Sequence, residues 1–326
     1  MLLSIIVPVR NEIEYIKSTF NSIIQSTKGI ECEIIFVDGQ SSDGTFQWLK
    51  IEIEKFNNCS LIVNKNKYVS HAFNLVYPKT TGQYISRLDG HTVYPENYFN
   101  NAIKILRNTD NVSIIGGPAI HQGISWKGKT IANCMMSPFG VGGASFRTST
   151  SKMYVDTVPF AVYKKRVFEE LGLYNEKLIR NQDDEFNYRC RSKGYKILMH
   201  PDLKTEYYVR ENLYDLVKQY FSYGLYKPDV FNLVPEGKRW YHFIPLLNLI
   251  HVPLCIYLAN INIKFISPLL MYIAICIIES IRCQDNFKMI LYSIFVFPCL
   301  HFSYGLGFLF GYLRKLRSKV VFLKKI

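Results

Sequence analysis

Gln83-Tyr-Ile-Ser-Arg-Leu-Asp-Gly-His91 is a strand that ends on a carboxylate. Tyr84, Ile85 and Leu88 are strand formers, and the run stops at Asp89-Gly90. A parallel strand delivers an acidic residue to the ligand-binding edge of a sheet in this way. Asp89 and His91 are two apart, so in an extended chain they point the same way. A carboxylate oxygen and an imidazole nitrogen converging on one point form half of a divalent-metal site. The mixed donors suit Mn2+ or Mg2+ already held by a diphosphate. Read alone, the stretch is equally a strand-end turn with a solvated aspartate.

The residues before it supply the rest of a sheet. Leu2–Val9 is a near-continuous apolar run, as in a strand buried on both faces. Asn11 reads as a helix cap, with Glu14 completing a capping box, and Ile13, Ile16, Phe20, Ile23 and Ile24 follow at helical spacing. Glu33–Val37 is a second strand ending in Asp38-Gly39. Phe46, Leu49, Ile53 and Phe56 mark a second helix, Leu61–Val63 a short strand and Ser70–Val76 a helix. This alternation predicts an α/β fold with a doubly wound, mostly parallel sheet.

No G-x-G-x-x-G follows the first strand, and no G-x-x-x-x-G-K-[ST] loop is present, which argues against a dinucleotide oxidoreductase. Three strand ends carry polar residues instead: Pro8-Val-Arg-Asn11, Asp38-Gly-Gln-Ser-Ser-Asp43 and Asp89-Gly-His91. A nucleotide can lie across them. Asp38 is placed to accept from a base imide. Asp43 or Ser41 bonds the ribose, or Asp43 only caps the second helix.

Further along, Ser113–Gly117 reads as a strand and Val155–Val162 as a strand or extended segment. Residues 137–152 are rich in small residues, which suggests a substrate lid. Gln182, Asp183, Asp184 and Glu185 open a helix that ends at Lys193-Gly194. Acidic residues there are ordinary macrodipole partners, yet one facing a cleft can act as a general base. Residues 196–200 form a further strand. In the polar-aromatic segment that follows, Arg210 and Lys227 either meet phosphate or are solvated surface cations.

The net charge of +13 over 326 residues implies anionic partners: nucleotide phosphates, lipid phosphates or a membrane surface. No compact basic stripe or known module points to nucleic acid. The eight cysteines are scattered, which fits reduced thiols better than disulfides or zinc. Met1–Val9 is too short for a signal peptide.

Together these residues resemble the family 2 inverting glycosyltransferases of GT-A fold. The likeness rests on Ser4-Ile-Ile-Val-Pro-Val-Arg-Asn-Glu12, Val37-Asp-Gly-Gln-Ser-Ser-Asp-Gly-Thr45, Asn74, Arg87-Leu-Asp-Gly-His91 and Asn181-Gln-Asp-Asp-Glu-Phe-Asn-Tyr-Arg189. Within the family the chain is similar to bacterial succinoglycan-type membrane glucosyltransferases. The resemblance implies a nucleotide-sugar donor, commonly a UDP-sugar. It implies Pro8, Arg10 and Glu12 as a nucleotide-contact loop, Asp38 as the base-binding aspartate, and Ser41, Asp43, Asn74 and Arg87 as further donor contacts. Asp89 and His91 fall on the D-x-D metal element, with His for the second Asp. Asp183 falls on the catalytic base, with Gln182 where the family has Glu. Glu185 and Arg189 take the later acidic and basic positions of that helix. Ser222 and Tyr223 stand where processive synthases carry Arg-Trp, which favours transfer of a single sugar.

The tail carries three apolar stretches, Phe243–Asn260, Phe265–Ile281 and Met289–Leu313. The third is long enough to span a bilayer, and the first two are at the short limit. The composition places a boundary near residue 240, with a glycosyltransferase domain at 1–240 and a membrane-associated region at 241–326. Arg314-Lys-Leu-Arg-Ser-Lys319 and Lys324-Lys325 put the tail in the cytoplasm by the positive-inside rule. A sugar-nucleotide domain belongs there too. That requires an even number of crossings where three candidates are present, so one of the first two is expected not to cross. Localisation in a plasma or inner membrane and an acceptor saccharide on a polyprenyl diphosphate follow, in capsule or exopolysaccharide synthesis. Transfer to bare polyprenyl phosphate, and a non-catalytic scaffold with a degenerate nucleotide site, are the competing readings.

Overall fold

The computed structural model describes residues 1–323, with side chains through Leu316. The Lys324-Lys325 pair of the expected basic tail lies outside the described residues.

In chain order the elements are β1 (Leu3–Val9), α1 (Ile16–Ser26), β2 (Cys32–Asp38), α2 (Thr45–Glu52), β3 (Cys59–Val63), α3 (Val69–Val76), β4 (Tyr84–Arg87), β5 (Thr92–Val93), α4 (Tyr98–Asn108), β6 (Val112–Gly116) and β7 (Ala119–Gln122). Then come α5 (Trp126–Met136), α6 (Pro138–Val141), α7 (Ser145–Thr148), β8 (Met153–Tyr154), β9 (Val162–Lys164), α8 (Arg166–Leu171), α9 (Gln182–Ser192), β10 (Lys196–Met199) and β11 (Thr205–Tyr208). The helices α10 (Leu213–Leu233), α11 (Ile244–Ala259), α12 (Ser267–Cys283) and α13 (Phe287–Leu323) follow. Met1–Ile120 with Ser149–Tyr207 form one compact unit, and His121–Thr148 with the chain from Tyr208 form another.

The first unit is built on an eight-stranded sheet in the order β3-β2-β1-β4-β9-β6-β10-β8. β1 runs parallel to β2 and to β4, and β2 to β3. The apolar run of β1 explains its central place, since Leu3, Ile5, Ile6 and Val7 are fully buried between helices on both faces. α1 turns Ile16, Phe20 and Ile23 onto the sheet, where Phe20 stacks on Phe36 at 5.3 Å. On the opposite face Phe73, Phe168 and Phe186 pack together, and Phe168 stacks on Phe186 at 4.6 Å.

Three local expectations change. The capping box at Asn11 does not form, and α1 starts only at Ile16. Asn11 adopts a left-handed backbone (φ 55°), donates its N–H to Ser41 Oγ and accepts from Ser42 N. Tying the loops that follow β1 and β2 together outweighs an earlier helix start. The extended segment 155–162 yields only the short strand β9, which is antiparallel to both β4 and β6. Pro159 has no N–H to donate to a ladder, and Val158 fills the space beside Gly116, where a Cβ would meet its Cγ2 at 2.8 Å. Residues 137–148 lie in the second unit and form α6 and α7. Their small residues serve close approach there: a Cβ on Gly140 would fall 2.1 Å from the Cys134 carbonyl oxygen.

The second unit is helical. Polar bonds join α5 and α6 to its long helices: Asn133 Nδ2 donates to Gln284 Oε1, Ser137 Oγ to Glu279 Oε2, and His301 bridges Phe139 O and Tyr272 Oη. Three stretches among the described residues are long and apolar enough to cross a membrane: Trp240–Ala259, Ile263–Cys283 and Phe287–Leu316. The eight cysteines are all free.

Candidate active site

The register of three parallel strands assembles the site. Val9 lies opposite Asp38 across β1 and β2, and Ile6 lies opposite Arg87 across β1 and β4. The segments that leave these strands, 10–12, 39–43 and 88–91, therefore emerge along one edge of the sheet. Gly39 and Gly90 allow the close packing there. A Cβ on Gly39 would meet the Lys67 carbonyl oxygen at 2.9 Å, and one on Gly90 would meet Glu12 Cγ at 3.1 Å.

Arg87 is the hub. As the last residue of a central strand its guanidinium is 6% exposed. Nη1 donates to Asp89 Oδ1 at 2.5 Å, and Nη2 stands 3.6 Å from Asp183 Oδ2. Burial alone would raise the Asp89 carboxyl. Arg87, His91 and Arg180 outweigh it and hold Asp89 below the usual carboxylate range. Asp183 differs. Desolvation, then Asp184 and Asp89, push its carboxyl up against the opposing pull of Arg87. One cation thus stands between a carboxyl held low and one pushed up, environments that divide two carboxylates as acid–base pairs are divided.

Asp183 sits in the first turn of α9, entered through Asn181 with a left-handed backbone (φ 60°). Its Oδ1 accepts from Asp184 N at 3.0 Å, and its side chain keeps 37% exposure. That exposure makes the carboxyl reachable by a ligand. Later in α9, Glu185 and Arg189 pair at 2.8 Å, and Arg189 also donates to the carbonyls of Leu171 and Leu173. These two hold α9 against the segment before it.

His91 Nδ1 contacts Glu12 Oε1 at 3.0 Å, and the Tyr207 ring packs edge-on at 5.0 Å. A carboxylate can only accept, so Nδ1 donates this bond, and in the neutral imidazole Nε2 would be the atom left to bind a ligand. An outer carboxylate orienting an imidazole is a common support for a metal ligand. Among the described residues no three His, Cys, Asp or Glu side chains converge. Asp89 and His91 still fit a hard cation that draws its other ligands from water and a diphosphate, as Mg2+ and Mn2+ do.

Asp38 is 2% exposed. Its Oδ2 accepts from Ser41 N at 3.0 Å, while Oδ1 is buried with no partner among the described residues. A buried orphan acceptor is costly, and an N–H of a bound ligand would relieve it. Asp43 Oδ1 accepts from Thr45 N and Thr45 Oγ1, its Oδ2 accepts from Ile13 N, and Ser41 Oγ accepts from Asn11 N. Both shape the loops. Pro8 lies in β1, and Arg10 is exposed just beyond it. Glu12 N donates to Thr45 Oγ1.

The expected donor contact Asn74 bonds its own chain. Asn74 Nδ2 donates to Tyr174 O and Glu176 Oε1, and its Oδ1 accepts from Tyr174 N, so it joins α3 to the 174–176 segment. Arg210 and Lys227 belong to the second unit, where Lys227 Nζ lies 6.0 Å from the Phe231 ring centre. Sequence reasoning missed the part of Tyr94, whose hydroxyl accepts from Asp89 N at 3.3 Å, and that of Tyr207. It also missed Arg180 as a cation acting on Asp89. Only Arg180 left a signal, since it lies three residues before Asp183.

Known proteins are similar to this chain in sequence and in fold. A succinoglycan biosynthesis protein, ExoA, of Rhizobium meliloti is 27% identical over 222 residues, covering 68% of this chain and 67% of its own. A dolichyl N-acetyl-alpha-D-glucosaminyl phosphate 3-beta-D-2,3-diacetamido-2,3-dideoxy-beta-D-glucuronosyltransferase of Methanococcus voltae is 27% identical over 93% of this chain and 95% of its own. Among solved structures, the mannosyltransferase PcManGT of Pyrobaculum calidifontis, in complex with GDP-Man and Mn2+, superposes with a TM-score of 0.66. It is 15% identical and covers 94% of this chain and 86% of its own, so the shared GT-A fold is what it shows. The model of glycosyl transferase family 2 matches residues 4–172, about half of the sequence, and the chain belongs to that family.

Proposed function

We propose that the protein is a metal-dependent inverting glycosyltransferase that moves one sugar from a nucleotide-sugar, a UDP-sugar by preference, to a lipid-linked saccharide. Residues 1–240 are the glycosyltransferase domain and 241–326 the membrane-associated region. The domain faces the cytoplasm at a plasma or inner membrane. The observation that carries this reading is Arg87 held between Asp89 and Asp183, because it sets the strand-end carboxylate and the carboxylate of the α9 first turn on one cation. The lipid-linked acceptor is supported by the printed activity of the Methanococcus relative and by the apolar helices.

Asp38 Oδ1 accepts from the base. Asp89 and His91 would hold the divalent cation, whose charge would neutralise that of the diphosphate. Asp183 removes the proton from an acceptor hydroxyl as that oxygen bonds to the anomeric carbon. The bond from that carbon to the phosphate oxygen breaks, and its electron pair leaves with the nucleoside diphosphate. A single displacement inverts the configuration, so an α-linked donor gives a β-glycoside. Arg87 keeps Asp89 ionised and moderates the Asp183 carboxyl.

The test is nucleotide release from a panel of sugar nucleotides by membranes holding the full chain, with lipid-linked acceptors, in Mn2+ or EDTA. Release that EDTA removes, and that Asp183→Asn lowers at least ~1,000-fold while nucleotide still binds, is expected. Full activity of Asp183→Asn would overturn the assignment of the base. Turnover unchanged by EDTA would overturn the role of Asp89 and His91.

A further inference from the structure

We propose that Phe160 is a positioning residue for Asp89 and His91, held with a left-handed backbone so that its one ring supports both side chains. Its role depends on these two being the metal ligands, as proposed above.

The backbone of Phe160 is unusual. Its φ is 52°, a region that glycine enters freely and that a bulky aromatic residue rarely does. The residue is 3% exposed, yet filling a core does not call for this conformation. Phe20, Phe73 and Phe186 are as deeply buried and stand on ordinary helices. Backbone strain persists only where the surroundings fix it, and it gathers at functional sites. Here two hydroxyls fix it. Tyr98 Oη donates to the Phe160 carbonyl at 2.7 Å, and Ser86 Oγ donates to the Ala161 carbonyl at 3.0 Å. Both donors belong to fully buried residues. Ser86 lies in β4, the strand that leads into Asp89. The turn at Phe160 is thereby tied to the strand that carries the carboxylate.

The ring explains what the strained backbone achieves. It meets the Tyr94 ring at 5.8 Å and 90°, and it lies nearly parallel to Tyr207 at 6.2 Å and 24°. Both are favourable separations for aromatic pairs. Each of these partners touches one of the two residues in question. The Tyr94 hydroxyl accepts from Asp89 N at 3.3 Å, and the Tyr207 ring packs edge-on against the His91 imidazole at 5.0 Å. β11 brings Tyr207 there by pairing it with Thr92, the residue after His91. Glu12 holds Nδ1 of the same imidazole, so a bond and a ring contact together set the direction of Nε2. All of these residues belong to the first unit.

Supports behind a ligand fix its orientation, and their loss weakens metal binding. Phe160 reaches Asp89 and His91 only through the two tyrosines. Its removal should therefore act on the cation and spare the contact of Asp38 with a base.

The test uses the full chain in detergent. Mn2+ binding is read from the electron paramagnetic resonance of the free ion with UDP or GDP present, and nucleotide binding from calorimetry in EDTA. Phe160→Leu keeps an apolar side chain and removes the ring. It is expected to weaken Mn2+ binding about 10-fold or more, with nucleotide binding in EDTA unchanged. Should Phe160→Leu fail to fold, Tyr98→Phe releases the Phe160 carbonyl with the ring in place, and Mn2+ binding is expected to weaken in the same way. Unchanged Mn2+ binding in the folded variant overturns the proposal and leaves Asp89 and His91 as ligands. Equal losses of Mn2+ and nucleotide binding overturn it too, since packing alone would then explain the variant. No Mn2+ binding by the parent chain with either nucleotide overturns the metal reading, and the role of Phe160 with it.

Discussion

Asp183 and Asp89 both approach Arg87, yet their environments push them apart. Asp89 is held ionised by Arg87, His91 and Arg180, whereas desolvation and two neighbouring carboxylates raise Asp183. The proposed base must lose its proton to work. The rate is therefore expected to climb with pH through a value above the ordinary carboxylate pKa of about 4. Stability follows the opposite direction. A carboxyl whose folded pKa is raised binds its proton more tightly in the fold, so its contribution is full below the unfolded pKa and is lost as pH rises through the folded one. Asp183→Asn should accordingly melt higher than the parent near pH 8, with the difference closing towards pH 4. Melting curves of both proteins across that range check it, and equal melting temperatures at pH 8 would count against a raised Asp183. The carboxylates themselves were legible in the sequence, because the strand-end Asp-Gly-His and the acidic first turn of a helix are local patterns. Arg87 as the link between them was not. The two carboxylates lie 94 positions apart (183 − 89), and only the sheet brings α9 to the end of β4.

Among the elements, the glycines of α13 show what a helix needs in order to lie against a neighbour. Gly307 faces the α10 backbone so closely that any Cβ must displace it. Gly307→Ala adds one methyl group where no void exists, and overpacking of this kind costs about 1–3 kcal/mol. The variant is expected to melt lower in detergent than the parent. The residues proposed to bind the donor lie in the first unit, so donor affinity is expected to be unchanged where parent and variant are both folded. Thermal unfolding followed by tryptophan fluorescence and a nucleotide-binding isotherm read the two effects separately. The stretch 137–152 makes the same point in reverse. Its small residues read as a lid, but within it Gly140 and Gly143 are small because the Cys134 carbonyl and the Tyr241 ring stand against them. Composition shows that side chains are absent and leaves open whether loop freedom or close packing is the reason. The start of α1 taught a similar lesson, since Asn11 was drawn away from capping by Ser41 and Ser42 some thirty positions further along the chain.

At the scale of the whole molecule, two forces favour a membrane. The net charge of +13 attracts anionic lipid, and that attraction is screened by salt. The bare apolar helices bind through burial that salt does not screen. Association with anionic vesicles is therefore expected to persist in about 1 M salt, and to be lost only in detergent. Flotation on a density gradient checks it, and release by salt alone would leave the charge as the main anchor.

The sequence by itself determined the alternation of strands and helices, the acidic strand ends, the family motifs and the apolar tail. All of these are encoded within a few neighbouring residues, where periodicity and turn chemistry act. The tertiary structure decided the antiparallel insertion of β9 between β4 and β6, the placing of Arg87 between Asp89 and Asp183, and the bond from Glu12 to His91. It also decided that Asn74 and Asp43 bind their own chain. Each of these joins residues far apart in the chain. Their energies depend on burial and distance, which no local pattern carries.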